Sequence, residues 1–224
     1  AGAPGSLLDA VEDCLMASLG NLPRFGGRVM SLCDNSGSAR GTTTSSMGTM
    51  QIATIANLTA VLTGMVSDEG HVGVFGDRLE TFSVRAKSSV FDQLQKAERL
   101  GQRIGAGTEN GVWLFWDRAI RERQHWDSVF VYSDMQAGHG GLYGTDVKQY
   151  ADYVWGGKGH YIDVPKLISA YRAQVNPKVQ VFLVQVAGYQ DTIVPEIYDR
   201  TYILGGWGDG LLRWAASMVE MSQS

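Results

Sequence analysis

Arg28-Val29-Met30-Ser31-Leu32-Cys33-Asp34-Asn35-Ser36-Gly37-Ser38 is the segment on which the fold turns. An apolar run from Val29 to Cys33 stops abruptly at an acid, two hydroxyls and a glycine. That is how a parallel strand, buried on both faces, reads where it leaves the sheet. In open α/β sheets ligands bind beyond the carboxyl ends of the strands. Asp34, Ser36 and Ser38 alternate, so a tight loop can turn their oxygens toward one point. Such ligands suit a hard cation (magnesium, manganese or calcium) and offer nothing to zinc or copper. Asp, Ser and Gly are also ordinary turn residues, and taken alone this motif is equally compatible with a plain turn.

Working outward, Ser6 can cap a helix to about Leu19, with Leu7, Leu8, Val11, Leu15 and Leu19 at helical spacing. Gly20, Asn21 and Pro23 end it, and Arg24-Phe25-Gly26-Gly27 links it to the first strand. A helix over about 47–65 carries Ile52, Ile55, Leu58, Leu62 and Met65 inward. His71–Phe75 and Thr81–Val84 flank a Gly76-Asp77 turn, which predicts an antiparallel hairpin at one sheet edge. Helices follow over 90–104, with Phe91, Leu94, Ala97 and Leu100 inward, and over about 109–124, where Thr108 stands at the N-cap position. Trp113, Phe115 and Trp116 of the latter read as core. Ser128–Tyr132 is a fourth strand, and it too ends at an acid, Asp134.

Residues 136–160 read as a polar, glycine-rich insertion, and a loop of that length in a compact domain is usually functional. Tyr150, Tyr153 and Trp155 within it read as loop packing or as partner anchors. A helix over 164–175 with Pro165 in its first turn, strands at 179–186 and 201–204, and a last helix capped by Asp209 complete the chain. The alternation predicts a three-layer α/β sandwich with a mostly parallel sheet and one antiparallel edge strand. Its expected organisation is an N-terminal helix and lead-in over 1–26 and one domain over 27–224.

The net charge of −4, from 19 basic and 23 acidic residues, supplies no general attraction for nucleic acid. The basic residues are scattered, apart from Arg118, Arg121 and Arg123. Cys14 and Cys33 read as small reduced hydrophobes, and with no apolar run of bilayer length or signal segment the expected compartment is the cytoplasm.

Taken together, Asp34-x-Ser36-x-Ser38, Thr108 after Gly105-Ala106-Gly107, and Asp134 after Val129-Phe130-Val131-Tyr132-Ser133 resemble the metal-ion-dependent adhesion site of von Willebrand factor A domains. The resemblance implies a Rossmann-like sandwich in which Ser36, Ser38 and Thr108 offer hydroxyls and Asp34 and Asp134 offer charge. The cation, magnesium in the first place with manganese or calcium as alternatives, would keep one position open for an acidic side chain of a protein partner. More narrowly, Ala17-Ser18-Leu19-Gly20-Asn21-Leu22-Pro23 and Gly205-Gly206-Trp207-Gly208-Asp209-Gly210-Leu211-Leu212-Arg213 are similar to the carboxyl-terminal A-type domain of the Ro autoantigen (TROVE) family. There the domain accompanies a ring of helical repeats that binds noncoding RNA. These residues contain no such ring, so RNA binding is implied only indirectly. Asn35 and Ala39 depart from the apolar residue and the methionine common in that family, which implies different packing of the loop without loss of a ligand.

The alternative is a metal-dependent phosphoryl-transfer or hydrolytic enzyme with Asp34 at its centre. Ser36 stands where such an enzyme would carry a second acid, and a G-x-S-x-G elbow is lacking. Gly156-Gly157-Lys158-Gly159 lacks the Walker spacing. The histidines, including His139, read as solvated or boundary residues, and no catalytic residue is assigned.

Overall fold

The computed structural model describes residues 5–41, 50–107, 110–134, 139–141, 152–154, 161–186, 199–206 and 209–222. In chain order these form α1 (Gly5–Leu19), β1 (Phe25–Asp34), the one-turn α2 (Gly37–Arg40), α3 (Ile52–Met65), β2 (Ser67–Phe75), β3 (Leu79–Ser83), α4 (Val90–Gly101) and α5 (Gly111–Arg121). They continue with β4 (Ser128–Ser133), β5 (His139–Gly141), β6 (Tyr161–Asp163), α6 (Val164–Gln174), β7 (Gln180–Gln185), β8 (Thr201–Gly205) and α7 (Asp209–Met221). Six strands form one sheet in the order β3-β2-β1-β4-β7-β8, parallel except for the β2–β3 hairpin at one edge. The expected three-layer sandwich with an antiparallel edge strand is therefore the observed one.

Period-two alternation assigns each strand residue to a layer. Val29 and Cys33, Phe130 and Tyr132, and Phe182 and Val184 pack under α3, α4 and α7. Met30 and Leu32, Val129 and Val131, and Val181 and Leu183 pack under α5 and α6, where Trp113 and Trp116 are core as expected. In the first layer an aromatic row crosses the sheet. Phe130 and Phe182 stack at 4.6 Å, Phe182 and Tyr202 at 5.1 Å, and Phe25 meets the edge of Phe130 at 5.1 Å. Phe130 and Phe182, and Phe182 and Tyr202, are register partners on neighbouring strands, which brings their rings into contact.

Several boundaries differ from expectation for identifiable reasons. β1 begins at Phe25, because the supposed Gly26-Gly27 link is a register irregularity inside the strand. Gly27 takes a positive φ of 73°, and a side chain there would strike Asp127. α1 starts at Gly5, so Ser6 lies inside the helix instead of capping it. Only the second half of α1 packs inward, through Leu15, Met16 and Leu19, while Leu7, Val11 and Cys14 are exposed. α3 is buried nearly all round, since the sheet covers one side and α4 the other. The predicted insertion opens with β5 and is closed by β6, which pair antiparallel. Tyr153 packs against the α5–α6 core, as loop packing would have it, while Tyr150 and Trp155 lie outside the described residues.

Phe130 touches three aromatic neighbours in a fully buried site. Phe130→Ala should therefore cost about 3–5 kcal/mol in urea unfolding, and a loss below 1 kcal/mol would show that the aromatic row is not what holds the sheet to its helices.

Candidate metal centre

The site forms where two neighbouring parallel strands end. β1 and β4 pair in register from Val29 with Ser128 to Cys33 with Tyr132, so Asp34 comes level with Ser133, and Asp134 follows one residue on. Asp34, Asn35, Ser36, Ser133 and Asp134 are all buried. Asp34 Oδ1 accepts from the Ser36 amide at 2.9 Å, and Oδ2 accepts from the Ser133 hydroxyl at 2.6 Å. The Ser36 and Ser38 hydroxyls lie 3.2 Å apart. Asp34, Ser36 and Ser38 are thus brought together, and Asp134 lies near enough for its charge to act on Asp34. Thr108 lies outside the described residues.

The segment leading to Thr108 does reach the loop. Asp77 and Arg78 amides donate to the Gly105 and Ile104 carbonyls at 3.2 Å each, which laces residues 104–105 to the β2–β3 turn. On its other side this segment meets Gly37, where a Cβ would sit 2.6 Å from the Ala106 carbonyl oxygen. Only glycine allows the two loops this approach.

Burial, followed by the negative charge of Asp134, pushes the Asp34 carboxyl up to about 7, against the pull of its hydrogen bonds to Ser133 and Ser36. Two carboxylates held side by side out of water, beside paired hydroxyls, form an oxygen cluster of the kind to which a divalent cation supplies positive charge. Among the described residues no three His, Cys, Asp or Glu side chains gather.

Sequence reading missed what holds the loop. Asn35 Nδ2 donates to Asn57 Oδ1 at 2.8 Å and to the Cys33 carbonyl at 3.2 Å, while its Oδ1 accepts from Arg40 at 2.6 Å. Arg40 and Asn57 both reach Glu98 on α4, at 3.0 and 3.3 Å. Where the resemblance led us to expect an apolar residue, a polar knot ties the site to α3 and α4. Arg40 is engaged in that knot. Ser133 was also missed, although its place beside Asp134 at the end of a buried strand was the available signal.

The fold is a Rossmann-like sandwich of the von Willebrand factor A type. Among solved structures the chain is similar to the Ro (RSR) protein of Deinococcus radiodurans, at 14% identity and a TM-score of 0.64, over 97% of this chain and 38% of that one. At that identity the likeness establishes the shared fold, and this chain spans well under half of the Ro protein's length. An aerotolerance-related membrane protein of Bacteroides fragilis (13% identity, 88% of this chain and 99% of that one) gives a TM-score of 0.47. A variant of the PilB minor pilin of Streptococcus sanguinis (10%, 90% and 62%) gives 0.46, and neither of these two carries argument. No protein-family model matches the sequence, and comparison with curated proteins finds no match.

Gly37→Ala should separate the two loops and cost about 1–3 kcal/mol, read as a lowered melting temperature. An unchanged value would mean that the contact with Ala106 is dispensable. A pH dependence follows from Asp34. The unfolded chain releases this proton near 3.8 and the native chain near 7, so between those values the native state binds more protons. The stability of the EDTA-treated protein should therefore fall as pH rises from about 4 to about 7 and level off above. Urea unfolding across that range checks this, and a rise would contradict it.

Proposed function

We propose that this chain is a divalent-metal-dependent protein-binding domain that recruits an acidic group of a partner, in the setting of a Ro-like protein. The observation that supports this reading best is the pair of buried carboxylates, Asp34 and Asp134, at adjoining strand ends beside the Ser36 and Ser38 hydroxyls. Asp34, Asp134, Ser36 and Ser38 would hold the cation, magnesium in the first place, and Thr108 would join them by the resemblance. The bound cation supplies an electrophilic face for a carboxylate. The chain's own part is to hold the oxygens. Ser133 and the Ser36 amide orient Asp34, and the Asn35–Arg40–Asn57–Glu98 knot keeps the loop in place.

A binding role is favoured over an aspartyl-phosphate enzyme because Asp34 is fully buried and both its oxygens accept hydrogen bonds, which is unlike an exposed nucleophile. Noncoding RNA enters this reading only through a helical-repeat ring outside these residues. Two unpaired cysteines, one of them exposed, fit a reducing cytoplasm. No described helix is long and apolar enough to cross a membrane.

Magnesium or manganese at about a hundredfold its dissociation constant should stabilise the wild type by about 2.7 kcal/mol. The same addition should do nothing for Asp34→Ala or Asp134→Ala, whose metal-free forms stay folded. Calorimetric melting with and without EDTA measures it, and an equal gain in wild type and both variants would defeat the proposal. Retention of a Glu-containing peptide on the immobilised domain, lost in EDTA, tests the partner chemistry.

A further inference from the structure

The three arginines that stand together near the end of α5 meet different fates. Arg121 is engaged by Asp117 at 2.8 Å, and Arg123 donates to the Gln174 carbonyl at 3.1 Å. Arg118 has no acidic partner among the described residues, and it lines a cavity of about 70 Å³ with Arg28, His71, Thr81, Gln124 and Trp126. This cavity lies on the α5 face near the start of β1. Arg28 precedes Asp34 by six residues, which sets the two sites about 20 Å apart along the strand.

The polar groups around the cavity are mainly donors. The Arg28 guanidinium carbon sits over the Trp126 ring, 4.2 Å from its centroid, a cation–π contact that holds it against the wall. Its charge is offset by Glu69 at 2.8 Å, which also accepts from His71 at 3.0 Å and is itself largely exposed. The Gln124 amide donates to Glu122 at 2.7 Å. What remains is the charge of Arg118, the Arg28 N–H groups not given to Glu69 or to the His125 carbonyl, and the Thr81 hydroxyl. The Trp126 side chain forms part of the wall, and its buried indole N–H has no hydrogen-bond partner among the described residues. The cavity is of a size to take a small tetrahedral oxyanion.

We propose that the Arg28–Arg118–Trp126 cavity binds a single phosphate-type oxyanion, independently of the metal centre. Planar guanidinium groups are suited to such oxygens. The anion belongs either to a free phosphate or monoester or to a phosphodiester backbone.

Isothermal titration of the EDTA-treated chain with inorganic phosphate at low salt tests this directly. One phosphate per chain is expected, with binding about tenfold weaker or worse in Arg118→Gln and partly retained in Arg118→Lys. Equal affinity in wild type and Arg118→Gln, or no binding at millimolar phosphate, would overturn the proposal. Should Arg118→Gln fail to fold, the wild type still decides the matter. Phosphate should move the Trp126 indole N–H resonance, assigned by Trp126→Phe, and an unmoved resonance overturns the assignment. With phosphate bound, displacement by glycerol phosphate would identify a monoester source, and displacement by a dinucleoside monophosphate a backbone source.

Discussion

The parallel register between β1 and β4 is the constraint from which the site follows. It sets Asp34 level with Ser133 across a sequence separation of 99 residues and brings Asp134 alongside. A slip of one residue would turn every side chain of β1 to the opposite layer. Phe130 and Val131 pack into different cores on either side of the sheet, so such a slip is not tolerated. The packing that stabilises the fold is thus also what forces two acids together out of water.

That juxtaposition is unfavourable in the metal-free chain, and the surroundings are arranged to sustain it. Ser133 and the Ser36 amide give Asp34 hydrogen bonds, and the Asn35 knot anchors the loop to α3 and α4. Buried polar groups are tolerated when they are satisfied, and Asn35 makes four contacts through its amide alone. The outcome is a loop tied to two helices and carrying buried acids at adjoining strand ends. Buried like charges of this kind are common at functional sites.

The opposite end of β1 carries a recess lined by arginine. There Arg28 and Arg118 share one cavity, and Glu69, which meets Arg28, also accepts from His71. One strand thus separates a negative pole from a positive recess, although the net charge of the whole chain is a modest −4. Bulk charge gave no hint of either.

By itself the sequence determined the layers, the hairpin edge and the acids at two strand ends. Each of these rests on short-range pattern: alternation over a few residues, a glycine turn, a polar residue closing an apolar run. The convergence of Asp34, Ser36, Ser38 and Asp134 was legible because residues at the ends of adjacent parallel strands must lie close. Tertiary structure alone decided which polar groups would be satisfied. Asn35 looked like a departure from a pattern until Asn57, Arg40 and Glu98 came to it from distant segments. Arg118 looked like one of three equivalent arginines until Asp117 and Gln174 claimed the other two. Hydrogen bonding and charge pairing depend on ångström distances between segments far apart in the chain, and no periodicity along the sequence encodes them.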